Sequence, residues 1–143
     1  EEERNNILKD GKITHERSRE YASYIMEAVV TNKPYQIGGN VLNTGLIDNL
    51  PSDACVEVPC MINAKGVNPC HVGRLPVQLA AMNQTYINVQ LLTIEAARTR
   101  DKNYIYQAAM LDPHTAAELN IDDIRSMCDE LIEAHGEYMA MYK

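Results

Sequence analysis

The sequence predicts an α+β fold, helices packed on a small and mostly antiparallel sheet, and three observations predict it. Apolar residues recur at helical period near the start of the chain and again from residue 76 onward. Between them, from Tyr35 to about Pro76, glycines and prolines punctuate short β-prone runs. No repeat and no linker breaks the order, so residues 1–143 read as a single domain.

The elements follow in chain order. Lys9-Asp10-Gly11-Lys12 is a polar turn, and Thr14 suits the N-cap of a helix running to about Asn32. Tyr21, Tyr24, Ile25, Ala28 and Val29 make one apolar stripe along it, with Tyr21 and Tyr24 read as core residues. Pro34 ends it, because the proline ring disfavours the helical region for the residue before it. Val41 to Leu42 and Ala54 to Ile62 read as strands. In the second, Val56 and Val58 alternate with Cys55 and Glu57, which should put the valines inward and Glu57 outward. Pro59 predicts that this strand is an edge or carries a bulge, since proline cannot donate to a ladder. Asn63-Ala64-Lys65-Gly66 has turn composition, so Val67 onward should pair back as a hairpin. Pro76 suits a first helical position, and the spacing from Val77 to Ala97 predicts a helix reaching Arg100. A shorter helix is expected over 102–111, stopping before Asp112-Pro113. A last one should begin near Asn120, turn Ile124, Met127, Leu131 and Ile132 inward, and end at His135-Gly136. Residues 137–143 read as a flexible tail in which Tyr138 and Tyr142 share a face.

Bulk properties exclude several function classes. Hydrophobic residues are 45% and charged residues 23% of the chain, near globular averages. A net charge of −7 argues against nucleic acid or an anionic membrane as partner, since both attract basic patches. No apolar run approaches the roughly 20 residues that span a bilayer, and no secretory leader is visible. The chain opens on Glu1-Glu2-Glu3-Arg4 without an initiator Met, as the interior of a longer protein would. Cys55, Cys60, Cys70 and Cys128 form no C-x-x-C pair and no dense disulfide framework, which reads as reduced thiols in a cytoplasmic protein.

The run Asn40-Val41-Leu42-Asn43-Thr44-Gly45-Leu46-Ile47-Asp48-Asn49-Leu50-Pro51 carries the pattern N-x-x-N-x-G-x-I-x-N-L-P. Further blocks follow in order: Val56-Glu57-Val58-Pro59, Gly66-Val67 with Pro69, Val72-Gly73-Arg74-Leu75-Pro76, and Ala108 through Ala116. Together with Glu16-Arg17-Ser18 and Tyr21-Ala22-Ser23, they resemble the C-terminal domain of family 4 glycoside hydrolases, nearest its α-galactosidase branch. The resemblance spans about residues 14 to 135. It implies a fold similar to the lactate and malate dehydrogenase C-terminal domain. It also implies an NAD- and manganese-dependent glycosidase that works by oxidation, elimination, addition and reduction, an exception to the two-carboxylate rule.

Hydride chemistry needs a strand, a G-x-G-x-x-G turn and a helix to hold the nucleotide, and no such stretch occurs here. The family's metal-binding Cys and His and its tyrosine base belong to blocks absent from this chain. The sequence therefore predicts a fragment without a catalytic half, with no catalytic, cofactor or metal residues of its own. Its partners would be an upstream Rossmann domain, further copies in a homo-oligomer, and an α-galactoside. Adjacent Cys70-His71 lacks further ligands at metal spacing and reads as structural.

Two groups are candidates for the substrate side. By the dehydrogenase analogy the first helix points its N-terminus at substrate, which nominates His15, Glu16, Arg17 and Ser18; the plain alternative is a solvated first turn. Asn40, Asn43 and Asn49 offer both donor and acceptor to sugar hydroxyls, or else bond backbone in a loop. Two rival readings stay open: a stand-alone sugar-binding or assembly module, and the C-terminal domain of a hydroxy-acid dehydrogenase.

Overall fold

A computed structural model describes residues 17–143. Thr14, His15 and Glu16 lie outside the described residues. The element order is α1 (Ala22–Thr31), β1 (Tyr35–Leu42), β2 (Cys55–Asn63), β3 (Gly66–Pro69), α2 (Val77–Thr99), α3 (Lys102–Leu111), α4 (Pro113–Glu118), α5 (Ile121–His135) and a 3₁₀ turn (Gly136–Met139). The strands form one sheet in the order β1-β2-β3. Its pairing is antiparallel: Asn43 N–H donates to the carbonyl of Ala54, and Cys70 N–H to that of Pro59. The expected α+β class, helices on a small antiparallel sheet, is what the structure has. The described residues divide into two compact units, 17–37 with Met61–Asn68, and Gly38–Cys60 with Pro69–Lys143.

In the first unit, α1 is shorter than the helix expected from Thr14 to about Asn32. It starts at Ala22, and Tyr21 stands at its N-cap with no side-chain cap bond. Asn32 ends it in the left-handed region (φ 55°) and accepts from the N–H of Ala64 at 3.2 Å, so one asparagine both stops the helix and ties the hairpin turn. That turn closes at Asn63, whose Oδ1 accepts from Lys65 N–H, and at Gly66, whose φ of 94° a side chain would resist. Of the stripe, only Ala28 is buried; Tyr24 is half-buried and stacks on Tyr35 with ring centroids 5.1 Å apart. Tyr21, read as core, is 54% exposed.

In the second unit the alternation of β2 places Val56, Val58 and Cys60 inward while Cys55 and Glu57 face out, as their spacing predicted. Pro59 corrects the edge-strand alternative, because β2 is the central strand. In an antiparallel ladder a residue turns its N–H and C=O to the same neighbour. The carbonyl of Pro59 faces Cys70, one residue past the end of β3, so its missing donor falls where the neighbouring strand has already stopped.

Helix α2 begins one position later than Pro76 suggested, with the proline as N-cap (ψ 137°). It buries Ala80, Ile87 and Ala96, not Ala97, and α3 packs against it. Asp112 caps the end of α3 and the start of α4, a short helix the sequence reading did not separate. Asn120 caps α5, which buries Ile124 and Cys128 and half-buries Met127 and Ile132; Leu131, expected inward, is 51% exposed. Residues 137–143, expected as a flexible tail, carry a 3₁₀ turn, and Lys143 exchanges backbone hydrogen bonds with Arg100 and Lys102. Tyr142 pairs with Arg100 (hydroxyl to guanidinium 2.9 Å) instead of with Tyr138. All four cysteines are free, and burial raises the Cys128 thiol above its ordinary range.

Candidate substrate-side site

The asparagine pattern folds into a loop between β1 and β2, built around one side chain. Asn43 is 1% exposed. Its amide nitrogen donates to the carbonyls of Ile47 (2.9 Å), Leu50 (3.0 Å) and Pro51 (3.1 Å). Its oxygen accepts from the N–H groups of Leu46 (3.2 Å) and Ile47 (2.8 Å). Two donors and two lone pairs are the whole inventory of a primary amide. Nothing is left for a sugar hydroxyl, so Asn43 as a substrate contact is corrected to an internal staple. The loop can wrap it because Gly45 takes φ 77°.

Asn49 extends the same device. Its amide nitrogen donates to the carbonyl of Leu75 and its oxygen accepts from the N–H of Leu75, both at 2.9 Å. Beside it Asp48 N–H donates to the carbonyl of Gly73, and the Asp48 carboxylate meets His71 Nε2 at 3.0 Å. The adjacent pair Cys70-His71 therefore spends its imidazole on a carboxylate at the surface. Half-buried Asn49 also keeps one amide hydrogen and one lone pair beyond these bonds, and it lines a cleft of about 310 Å³ with Arg74 and Gln84.

Asn40 has a different position. It lies on β1 and is exposed. The Asn43–Ala54 bond sets the register of β1 on β2, and carrying it three residues along each strand puts Asn40 beside Glu57. Gly38 lies close by: a Cβ there would come within 2.8 Å of a Glu57 carboxylate oxygen. Glu57 lines a cleft of about 280 Å³ together with Tyr86, Asn83 and Gln90 from α2, over an apolar floor that includes Ile47 and Ile87. Sequence reading missed these α2 residues. Their spacing, a polar strip at i, i+3 and i+7 beside the buried stripe, was the available signal.

The N-terminal candidates split. Arg17 lies over the ring of Tyr24 at 3.6 Å, donates to Ser23 Oγ (3.0 Å) and pairs with Glu27 at 2.6 Å. Its charge is thereby committed along α1, beside a cleft of about 340 Å³ bounded by Lys33 and Tyr35. Ser18 Oγ accepts from the N–H of Glu20 at 3.3 Å.

NAD and manganese do not fit the described residues. Among them no group of three or more His, Cys, Asp or Glu stands close enough to hold a metal ion. Gly38 and Gly39 lie inside β1, not in a turn that opens a helix, so no phosphate cradle forms there.

The architecture is that of solved glucosidases. A 6-phospho-alpha-glucosidase from gut microorganisms, in complex with NAD and glucose-6-phosphate, superposes with a TM-score of 0.77 at 22% identity, over 96% of this chain and 32% of that one. The 6-phospho-beta-glucosidase of Thermotoga maritima, with manganese, NAD+ and glucose-6-phosphate, superposes with a TM-score of 0.71 at 25% identity, over 96% and 34%. Residues 1–115 match the family 4 glycosyl hydrolase C-terminal domain, and the chain belongs to that family. It is 59% identical over its whole length to 33% of an alpha-galactosidase of Bacillus subtilis (strain 168). It is 35% identical, over 90% of its length, to 26% of an alpha-galactosidase of Rhizobium meliloti (strain 1021). The chain thus spans between a quarter and a third of the length of the curated relatives it matches.

Proposed function

We propose that this chain is the C-terminal domain of an NAD- and manganese-dependent α-galactosidase-like glycosidase, and that it works only with a Rossmann domain preceding it in the longer polypeptide. The identity of 59% along all 143 residues to an alpha-galactosidase is the observation that carries the substrate class. The NAD and manganese held by related glucosidase structures support the cofactors. The route is oxidation, elimination, addition and reduction at the sugar, with the redox and acid–base groups supplied from outside these residues. This domain contributes the wall on the substrate side, where the Asn40 side chain bonds none of the described residues, and contacts in a cytoplasmic homo-oligomer. Among the described residues no helix is long and apolar enough to cross a membrane.

Hydrolysis of an aryl α-galactoside, with NAD, Mn²⁺ and a thiol reductant, tests the proposal. The full-length protein should turn over and stop when either cofactor is withheld. This chain alone, shown folded by circular dichroism, should not. NAD-dependent turnover by the chain alone would overturn the missing-half reading, and a full-length protein active without NAD would overturn the mechanism.

A further inference from the structure

Helix α1 carries one charged residue in ten, Glu27, and that charge is met by Arg17. A surface helix ordinarily sets a charged face against an apolar one; a helix apolar all round belongs to the interior of something larger. The inner face of α1 holds Ala28 with half-buried Tyr24 and Ile25. The opposite side holds Met26 at 68% exposure and Val30 at 83%, one turn apart, with Val29 at 41% beside them.

We infer that the outer face of α1, centred on Met26 and Val30, is the seat of the polypeptide that precedes this domain in the longer protein. The inference rests on the reading of the chain as the C-terminal domain of a longer enzyme, not on which glycoside that enzyme cleaves. Two observations select this occupant. The chain matches a C-terminal domain and spans 33% of its alpha-galactosidase relative, so roughly twice its own length of polypeptide accompanies it there. The face is also small. A helix of ten residues is about 15 Å long and about 10 Å across, so one face offers on the order of 150 Å², far short of the roughly 800 Å² per partner that a stable dimer needs. A tethered segment faces no such threshold, because the linkage holds it at high effective concentration.

The test uses the full-length protein with p-benzoylphenylalanine in place of Val30, and separately of Met26, with Glu130 on α5 as an exposed control. Irradiation should give crosslinks at Val30 and Met26 to peptides preceding residue 1, at the mass of a single chain and well above the Glu130 background. A product of twice the mass would show that a second copy covers the face. Crosslinks confined to these 143 residues, or none above background, would show that nothing upstream does. Each of these overturns the inference. Maleimide labelling of V30C gives a second readout: in the folded full-length protein it should run at least about tenfold slower than in urea, as a covered site requires. Equal rates would sink the idea. Neither readout depends on turnover, so an inactive protein that crosslinks upstream would fault the proposed activity and leave this contact standing.

Discussion

Replacing Asn43 by alanine tests whether the loop's central asparagine is a staple or a ligand. Truncation strands three backbone groups that have no other partner among the described residues: the N–H groups of Leu46 and Ile47 and the carbonyl of Leu50. The carbonyls of Ile47 and Pro51 keep bonds from Leu50 and Ala54. Each stranded buried group costs about 1–3 kcal/mol, and water entering the small hole recovers part of it. The expected loss is therefore about 3–6 kcal/mol, a large share of the roughly 5–15 kcal/mol that stabilises a domain. Equilibrium urea unfolding of parent and N43A, followed by circular dichroism, measures it as a shift in midpoint at constant slope. N43D sharpens the test, since it keeps both accepted bonds but turns a carboxylate oxygen toward three carbonyls. The folded state then favours the protonated acid, so N43D should be most stable at or below the ordinary aspartate pKa and lose stability as pH rises above it. An N43A protein within about 0.5 kcal/mol of the parent would refute the staple.

Three further outcomes are expected. Gly45 holds φ 77° with nothing within 4 Å of a Cβ, so G45A should lose about 1–2 kcal/mol through backbone strain alone and G45N less, by the same urea assay. Asp112 is held below its ordinary value of 3.8 by the N–H and hydroxyl of Thr115; its contribution is full above pH 3.8 and lost as pH falls through the folded value. Thermal midpoints of the parent should therefore drop more steeply below pH 4 than those of D112N. The Tyr106 phenol donates to Asp129, which raises it above its ordinary value of 10.0. Ultraviolet titration of the parent against D129N should show the Tyr106 phenol ionising at lower pH once the carboxylate is removed.

How much of this was legible depended on how far apart the partners lie along the chain. The hairpin at residues 63–66, the inward valines of β2 and the helix over 102–111 were all readable, because periodicity and turn chemistry act within a few residues. The ordered blocks from Asn40 to Ala116 also identified the family, whose profile matches residues 1–115. The three asparagines of one motif were not separable by the same means. They share a side chain, yet Asn43 is consumed by five backbone groups, Asn49 is clasped to a residue 26 positions away, and Asn40 stands exposed on a strand. Pro59 is the same case: its type forbids a ladder donor, and only the length of β3 decides whether a central strand can bear it. The sequence by itself determined which local structures form and which family they belong to, since both are written in spacing. Only the tertiary structure decided which polar groups are spent and which are free, because a hydrogen bond forms where folding brings donor and acceptor within about 3 Å, a distance that no spacing along the chain specifies.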